Sequence, residues 1–187
     1  MRLRTLFPEV PVLHTERLEL RSITPSDAPA IMKLRGNPEI MKYVPRPLTQ
    51  SLDEAIQLIR EFEAIRERGE GITWGICVKQ EQVLVGTIAF LRTKPENFRT
   101  EIGYLLDPVY QGQGIMKEAI QRVVSFGFDV MGLHSIEAVV VAENIPSIKV
   151  LHKCGFIKEG FLRDYQYFNG GFHNTLIYSL LADGDSD

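Results

Sequence analysis

The chain has 187 residues, enough for one domain with a real core, and its 44% apolar and 24% charged residues are an ordinary balance for a soluble globular protein. A net charge of −3 supplies no global basic field for nucleic acid, and no apolar run approaches the ~20 residues that span a membrane. The two cysteines, Cys77 and Cys154, lie far apart without a C-x-x-C pair, which suits a reducing cytoplasm and argues against a disulfide framework.

Met1-Arg2-Leu3-Arg4 lacks the continuous apolar segment of a signal peptide. Residues 16–23 alternate Leu18, Leu20 and Ile23 with charged neighbours, which predicts a strand with one wet face. Ser26-Asp27 can cap a short helix over 27–35, closed by Gly36 and Pro38. After the irregular Pro45-Arg46-Pro47, Ser51 and Glu54 form a capping box. The helix behind it aligns Leu52, Ala55, Ile56, Ile59, Phe62 and Ile65 on one face and ends near Gly69. Thr73 to Val78 and Val83 to Leu91 read as a hairpin around Gln80-Glu81-Gln82.

A strand is expected over 100–106 and a helix over 114–131, with Gly132 as its stop. Ile136 to Val141 is almost wholly apolar and reads as a buried strand. Pro146 begins a short helix. Strands over about 156–168 and 173–181 flank the turn Asn169-Gly170-Gly171. The expected order is β-α-α-β-β-β-α-β-α-β-β, a mixed sheet in a single domain over 1–182 with a disordered tail over 183–187.

Between the strand at 100–106 and its following helix lies Gln111-Gly112-Gln113-Gly114-Ile115-Met116. A glycine-rich turn opening a helix presents unpaired N–H groups and the positive end of the helix dipole, a site for phosphate or pyrophosphate. A tight strand-to-helix connection explains two glycines equally well. The Gly-Lys-Ser/Thr ending of a Walker loop is absent, and Lys117 stands where a dinucleotide fingerprint needs its third glycine. Gln111 and Gly114 match Gln/Arg-x-x-Gly-x-Gly/Ala, which resembles the acetyl-CoA loop of GNAT acyltransferases; Met116 departs from it. If Met116 points into the fold, the backbone ligands survive; if it points at the pyrophosphate, binding weakens.

Three further stretches carry the resemblance. Asn144-x-x-Ser147, Lys153-Cys154-Gly155-Phe156 and Glu159-Gly160-x-x-Arg163 resemble the GNAT branch that holds the ribosomal-protein alanine N-acetyltransferases, and Thr15-Glu16-Arg17-Leu18-Glu19-Leu20-Arg21 resembles that branch's first strand. The resemblance implies an α/β (α+β) fold: a mostly antiparallel sheet of six to seven strands, about four helices, and a parallel pair that splays into a coenzyme cleft. It implies acetyl-CoA as co-substrate, held by Leu105 and Leu106 on the first splayed strand, by the loop residues Gln111, Gly112, Gln113, Gly114, Ile115 and Met116, and by Asn144, Ser147 and Lys153. No metal is expected. The implied acceptor is a protein N-terminal α-amine, with a small amine (polyamine, amino acid or antibiotic) or a silent CoA-binding module as alternatives. No nucleic-acid or membrane partner is expected, the setting is cytoplasmic, and exposed final strands allow a homodimer.

Amine acylation needs a neutral amine and a stabilised leaving thiolate. Many GNAT enzymes use a tyrosine for the thiolate, at a position held here by Leu151. Ser147 lies one turn earlier on the same helix face, so the resemblance implies that it takes the role, with simple helix capping as the alternative. Glu101 is the candidate base, or else a solvated carboxylate at a strand edge. His14, His134, His152 and His173 form no metal pattern. Arg163, Tyr165 and Tyr167 alternate on one strand and either shape an acceptor groove or are ordinary surface. Trp74 suits core or groove rim.

Overall fold

The computed structural model describes Leu3 and residues 5–182, so the expected tail over 183–187 lies outside the described residues. Among the described residues the sheet has eight strands in the order β1-β2-β3-β4-β5-β6-β8-β7. They are β1 (Leu13–His14), β2 (Leu18–Arg21), β3 (Ile72–Val78), β4 (Val83–Lys94), β5 (Arg99–Leu106), β6 (Ser135–Val141), β7 (Ile157–Phe168) and β8 (Gly171–Leu181). Among the described residues only β5 and β6 pair in parallel, as the strand–helix–strand connection between them requires. The helices are α1 (Ala28–Arg35), α2 (Pro38–Met41), α3 (Leu52–Glu67), α4 (Ile115–Phe126) and α5 (Ile145–Lys153).

The mixed α/β architecture stands as expected, with one strand and one helix more. The added strand β1 has two residues, too short for a period-2 pattern to register. The added helix α2 starts at Pro38, because Pro is favoured at the first helical position and Asn37 Oδ1 accepts from Glu39 N at 2.9 Å. Helix α1 begins later than expected. Asp27 closes a 3-10 turn, accepting from Thr24 N at 2.8 Å, and its carboxylate also holds Arg21 at 2.8 Å. The long helix at 115–126 passes into a π-helical turn over Gly127–Met131 before Gly132 ends it at φ 78°. Asn169 and Gly170, at φ 49° and 79°, form the two-residue turn that joins Phe168 to its partner Gly171.

Two cores cover the two faces of the sheet. Helix α4 buries Ile115, Met116, Ala119, Ile120, Val123 and Phe126 on one face, against Ile88, Phe90, Ile102, Ile136 and Ala138. Each large side chain so buried contributes about 1.5–3 kcal/mol. Trp74 is fully buried in this core, edge-on to Phe90 and Phe126 at 5.7 Å each, and donates to Pro11 O at 2.8 Å, which makes it core rather than groove wall. On the other face, α1 and α3 place Ala28, Ile31, Leu34, Ala55 and Ile59 against Ile23, Cys77 and Leu84.

Candidate active site

Strand β5 is where the two halves of the sheet separate. On one side it pairs with β4 as far as Leu106↔Gly86. On the other it pairs with β6 only at Arg99↔Ser135, Thr100↔Ile136 and Glu101↔Glu137. Beyond Glu101, β6 follows β8 out to Val141↔Thr175, so residues 103–106 present a strand edge to a widening gap. Leu105 and Leu106 sit on that edge, half-buried. Such an edge offers backbone donors and acceptors to an extended amide-bearing ligand.

The glycine loop follows directly. Buried Asp107 ends β5, accepts from Val109 N at 3.0 Å and is held by Lys33 of α1 at 2.5 Å. The Lys33 ammonium keeps its carboxyl below the usual range. Gln113 Nε2 donates to Val109 O at 2.8 Å, closing the loop on itself. Gly112 and Gly114 take φ of 74° and 79°, the left-handed region that disfavours side chains, and carry the backbone round into α4. A Cβ on Gly112 would meet no heavy atom within 4 Å, so the loop is open to an approaching group. Gln111, Gly112, Gln113 and Gly114 are exposed, whereas Ile115 and Met116 are buried. Met116 therefore points into the fold, and its departure from the family pattern leaves the loop's outer surface untouched. An open loop at the N-terminus of a twelve-residue helix fits the pyrophosphate of a coenzyme.

Across the gap stands α5. Asn144 Oδ1 accepts from Ser147 N at 3.2 Å and caps the helix, while Ser147 Oγ lies 2.7 Å from the Tyr104 hydroxyl. Ser147 thus gives its backbone N–H to the Asn144 cap while its hydroxyl faces β5. Burial pushes the Tyr104 phenol well above its ordinary value, a stronger effect than the opposing Ser147 hydrogen bond, so Tyr104 stays protonated. Leu151 is fully buried in the core. Lys153, the last residue of α5, is exposed. His152 is engaged by Tyr178, ring against ring at 5.3 Å.

Glu101 and Tyr104 point to opposite faces of β5, since Ile102 and Tyr104 pack with the α4 core and strand residues alternate. Burial raises the Glu101 carboxyl, Arg92 opposes the shift, and Glu137 across the strand pair adds to it. The carboxylate is ion-paired with Arg92. A bulge in β4 past Leu91, with Arg92 at φ 49°, produces that contact. Glu137 is in turn paired with Arg99 at 2.7 Å. Burial also raises both thiols, Cys77 and Cys154, which keeps them un-ionised at neutral pH.

Three site features escape sequence reasoning. Tyr104 reads as one more core-facing strand residue, Arg92 as an ordinary strand charge, and Lys33 as a solvated helix residue. The regular alternation expected of Arg163, Tyr165 and Tyr167 is interrupted at Asp164, between the first two. Asp164 takes φ 48° and the register with β8 shifts between Leu162 and Gln166, so simple alternation is lost there.

Residues 17–157 match the acetyltransferase (GNAT) domain model. YoaA, an uncharacterised N-acetyltransferase of Bacillus subtilis, is 41% identical over 171 residues, covering 91% of this chain and 97% of that one. Spermidine N(1)-acetyltransferase of Vibrio cholerae is 25% identical over 159 residues, 85% of this chain and 90% of its own. A solved spermidine N-acetyltransferase from the same species, in complex with CoA and spermine, has a TM-score of 0.79 at 24% identity, with coverage of 89% and 96%. The crystal structure of a ribosomal-protein-S5-alanine acetyltransferase from Vibrio fischeri has a TM-score of 0.82 at 26% identity, covering 92% of this chain and 97% of that one.

Proposed function

The chain belongs to the GNAT acetyltransferase family, and on that premise we propose that it acetylates a protein N-terminal α-amine by direct attack in a ternary complex. The observation that carries the choice of acceptor is the Arg92–Glu101 ion pair. A carboxylate already bound to a guanidinium is a poor base for a strongly protonated amine. An α-amino group, with a pKa near ~7.7–8.0, is substantially neutral at neutral pH, whereas an amine near ~10.4 demands more of its base. Similarity to a ribosomal-protein alanine acetyltransferase supports the same acceptor class. The spermidine enzyme supports the rival, a small polyamine. Against that rival, both acidic residues at the parallel pair, Glu101 and Glu137, already hold arginine partners.

Acetyl-CoA supplies the acetyl group as an activated thioester. The backbone amides of Gln113 to Met116 hold the pyrophosphate, the edge at Leu105 and Leu106 pairs with the pantetheine amides, and Lys153 and Asn144 line the approach. Ser147 donates a hydrogen bond from its hydroxyl to the departing sulfur, and Tyr104 donates to Ser147 Oγ, which directs that proton outward; CoA leaves as the thiolate, and the proton lost by the amine balances its charge. The amine gives its proton to water, or to Glu101 once Arg92 releases it. Two un-ionised cysteines offer no acyl-carrying nucleophile, which supports a single transfer step. Free thiols also suit a cytoplasmic setting.

Thiol release from acetyl-CoA, assayed with short peptides bearing free Ala, Ser or Met N-termini, their blocked and lysine-bearing counterparts, polyamines and aminoglycosides, tests this function. Release that depends on a free peptide N-terminus is expected. Release with small amines alone overturns the acceptor assignment.

A further inference from the structure

The first turn of α4 carries an acidic side chain where the coenzyme's negative charge is expected. Glu118 sits in that turn, and a carboxylate there competes with any anion for the positive end of the helix. Its surroundings answer the conflict. The Glu118 carboxylate accepts from Thr15 Oγ at 2.5 Å, Arg17 N at 3.0 Å, Arg17 Nε at 2.7 Å and Arg17 Nη2 at 2.6 Å. Arg17 Nη1 reaches on to the loop itself, donating to Gln113 O at 3.0 Å. A Cβ on Gly114 would stand 3.5 Å from Arg17 Nη2.

The turn that carries Thr15 and Arg17 is itself fixed. Thr15 Oγ accepts from Leu18 N at 2.9 Å, Lys79 Nζ donates to Thr15 O at 2.6 Å, and Lys79 N donates to Arg17 O at 3.0 Å. Burial alone would raise the Glu118 carboxyl, but the Thr15 hydroxyl, the Arg17 N–H and the Arg17 guanidinium together hold it below the ordinary range. Glu118 is therefore ionised and fully partnered. The Thr15-Glu16-Arg17-Leu18 stretch, which the proposed chemistry leaves unused, has a place in this arrangement.

We propose that Arg17, with Thr15, is a positioning residue for the coenzyme: it neutralises Glu118 and ties the Gln113 carbonyl away from the opening, so that the loop and the α4 N-terminus keep their attraction for a pyrophosphate. The proposal rests on the assignment of the 111–116 loop to the coenzyme. An isolated exposed ion pair would be worth little. Here one cation meets both a carboxylate and the anion-binding backbone, so its removal uncovers a negative charge within the site.

A mutant cycle tests it, with CoA affinity read by calorimetry and folding checked by thermal unfolding. Arg17→Met is expected to weaken CoA binding about tenfold, the upper range for a charge at a helix terminus. Binding of pantetheine, which lacks the pyrophosphate, should be unchanged by NMR titration. Glu118→Gln should bind CoA at least as tightly as the parent. The double variant Arg17→Met/Glu118→Gln should recover to within about threefold of the parent, because the charge left exposed is gone. A double variant as weak as Arg17→Met, or an Arg17→Met variant with parental affinity, overturns the neutralising role. Gly114→Val is the separate control: if it leaves CoA affinity intact, the loop assignment itself has failed; if it weakens CoA while Arg17→Met does not, only the Arg17 role has failed.

Discussion

Ser147 and Tyr104 share one short contact, and their contributions separate by experiment. Ser147→Ala removes the hydroxyl proton proposed to hydrogen-bond the departing thiolate and should lower kcat by about 10²-fold, within the range for losing one donor to a developing anion. Tyr104→Phe leaves that proton in place but unaligned, so a loss of about tenfold is expected, the worth of roughly one hydrogen bond. CoA affinity should move little in either variant, and a Tyr104→Phe variant with parental kcat would remove Tyr104 from the mechanism. Glu101 makes a different demand. Its carboxyl is raised mainly by burial, so the folded state is penalised whenever Glu101 is ionised, and that penalty is present at pH 7 and relieved as pH falls through the raised value. Glu101→Gln should accordingly hold or raise the melting temperature at pH 7, leaving Arg92, itself largely exposed, to water. Turnover on an α-amine peptide should fall less than tenfold if water accepts the proton, and a drop in melting temperature would contradict the burial account.

Helix α4 shows how far pattern carries and where it stops. Met116, Ala119, Ile120, Val123, Val124 and Gly127 recur at helical spacing in the sequence and mark most of its buried face, though Ile115 and Phe126 are buried as well and Val124 only partly, and the glycines ahead of it mark the turn. Gly114 meets a conformational demand that the structure shows: at φ 79° any L-residue is strained, so Gly114→Ala should cost about 1–2 kcal/mol of stability, read as a lower denaturation midpoint without a changed slope. The divergence of β5 from β6 was known only through family resemblance, because nothing in Gly103-Tyr104-Leu105-Leu106 distinguishes an edge that loses its neighbour from one that keeps it. The bulges at Arg92 and Asp164 were invisible for a related reason. They depend on pairing between strands distant in sequence, and each places a non-glycine residue at positive φ against its own preference. Ser147 could be picked out only because Asn144-x-x-Ser147 resembles a family motif, whereas Tyr104 acquires its meaning only when α5 folds across to meet it.

Three carboxylates join elements that are far apart in the chain or face different layers, and together they make the molecule sensitive to acid. Asp27 ties the start of α1 to Arg21 on β2, Asp107 ties the end of β5 to Lys33 on α1, and Glu118 ties α4 to the turn before β2. All three carboxyls lie below their ordinary values. Asp107 is lowered chiefly by Lys33, while in Asp27 and Glu118 hydrogen bonds from arginine and neighbouring groups outweigh the raising effect of burial. A depressed carboxyl adds stability above its unfolded pKa, near ~4, and that stability is lost as pH falls through the lower folded value. Glu101 has the opposite sign, so among these at least partly buried carboxyls three stand against one, and the melting temperature should fall steeply below about pH 4. Asp107→Asn isolates one member of the set. It keeps a side-chain oxygen for Val109 N but gives up the charge that holds Lys33. The variant should melt below the parent at pH 7, and the two melting curves should converge as the pH is lowered from 5 toward the folded value of Asp107. A constant gap across that range would mean that packing around the buried side chain, not its charge, joins α1 to the coenzyme loop.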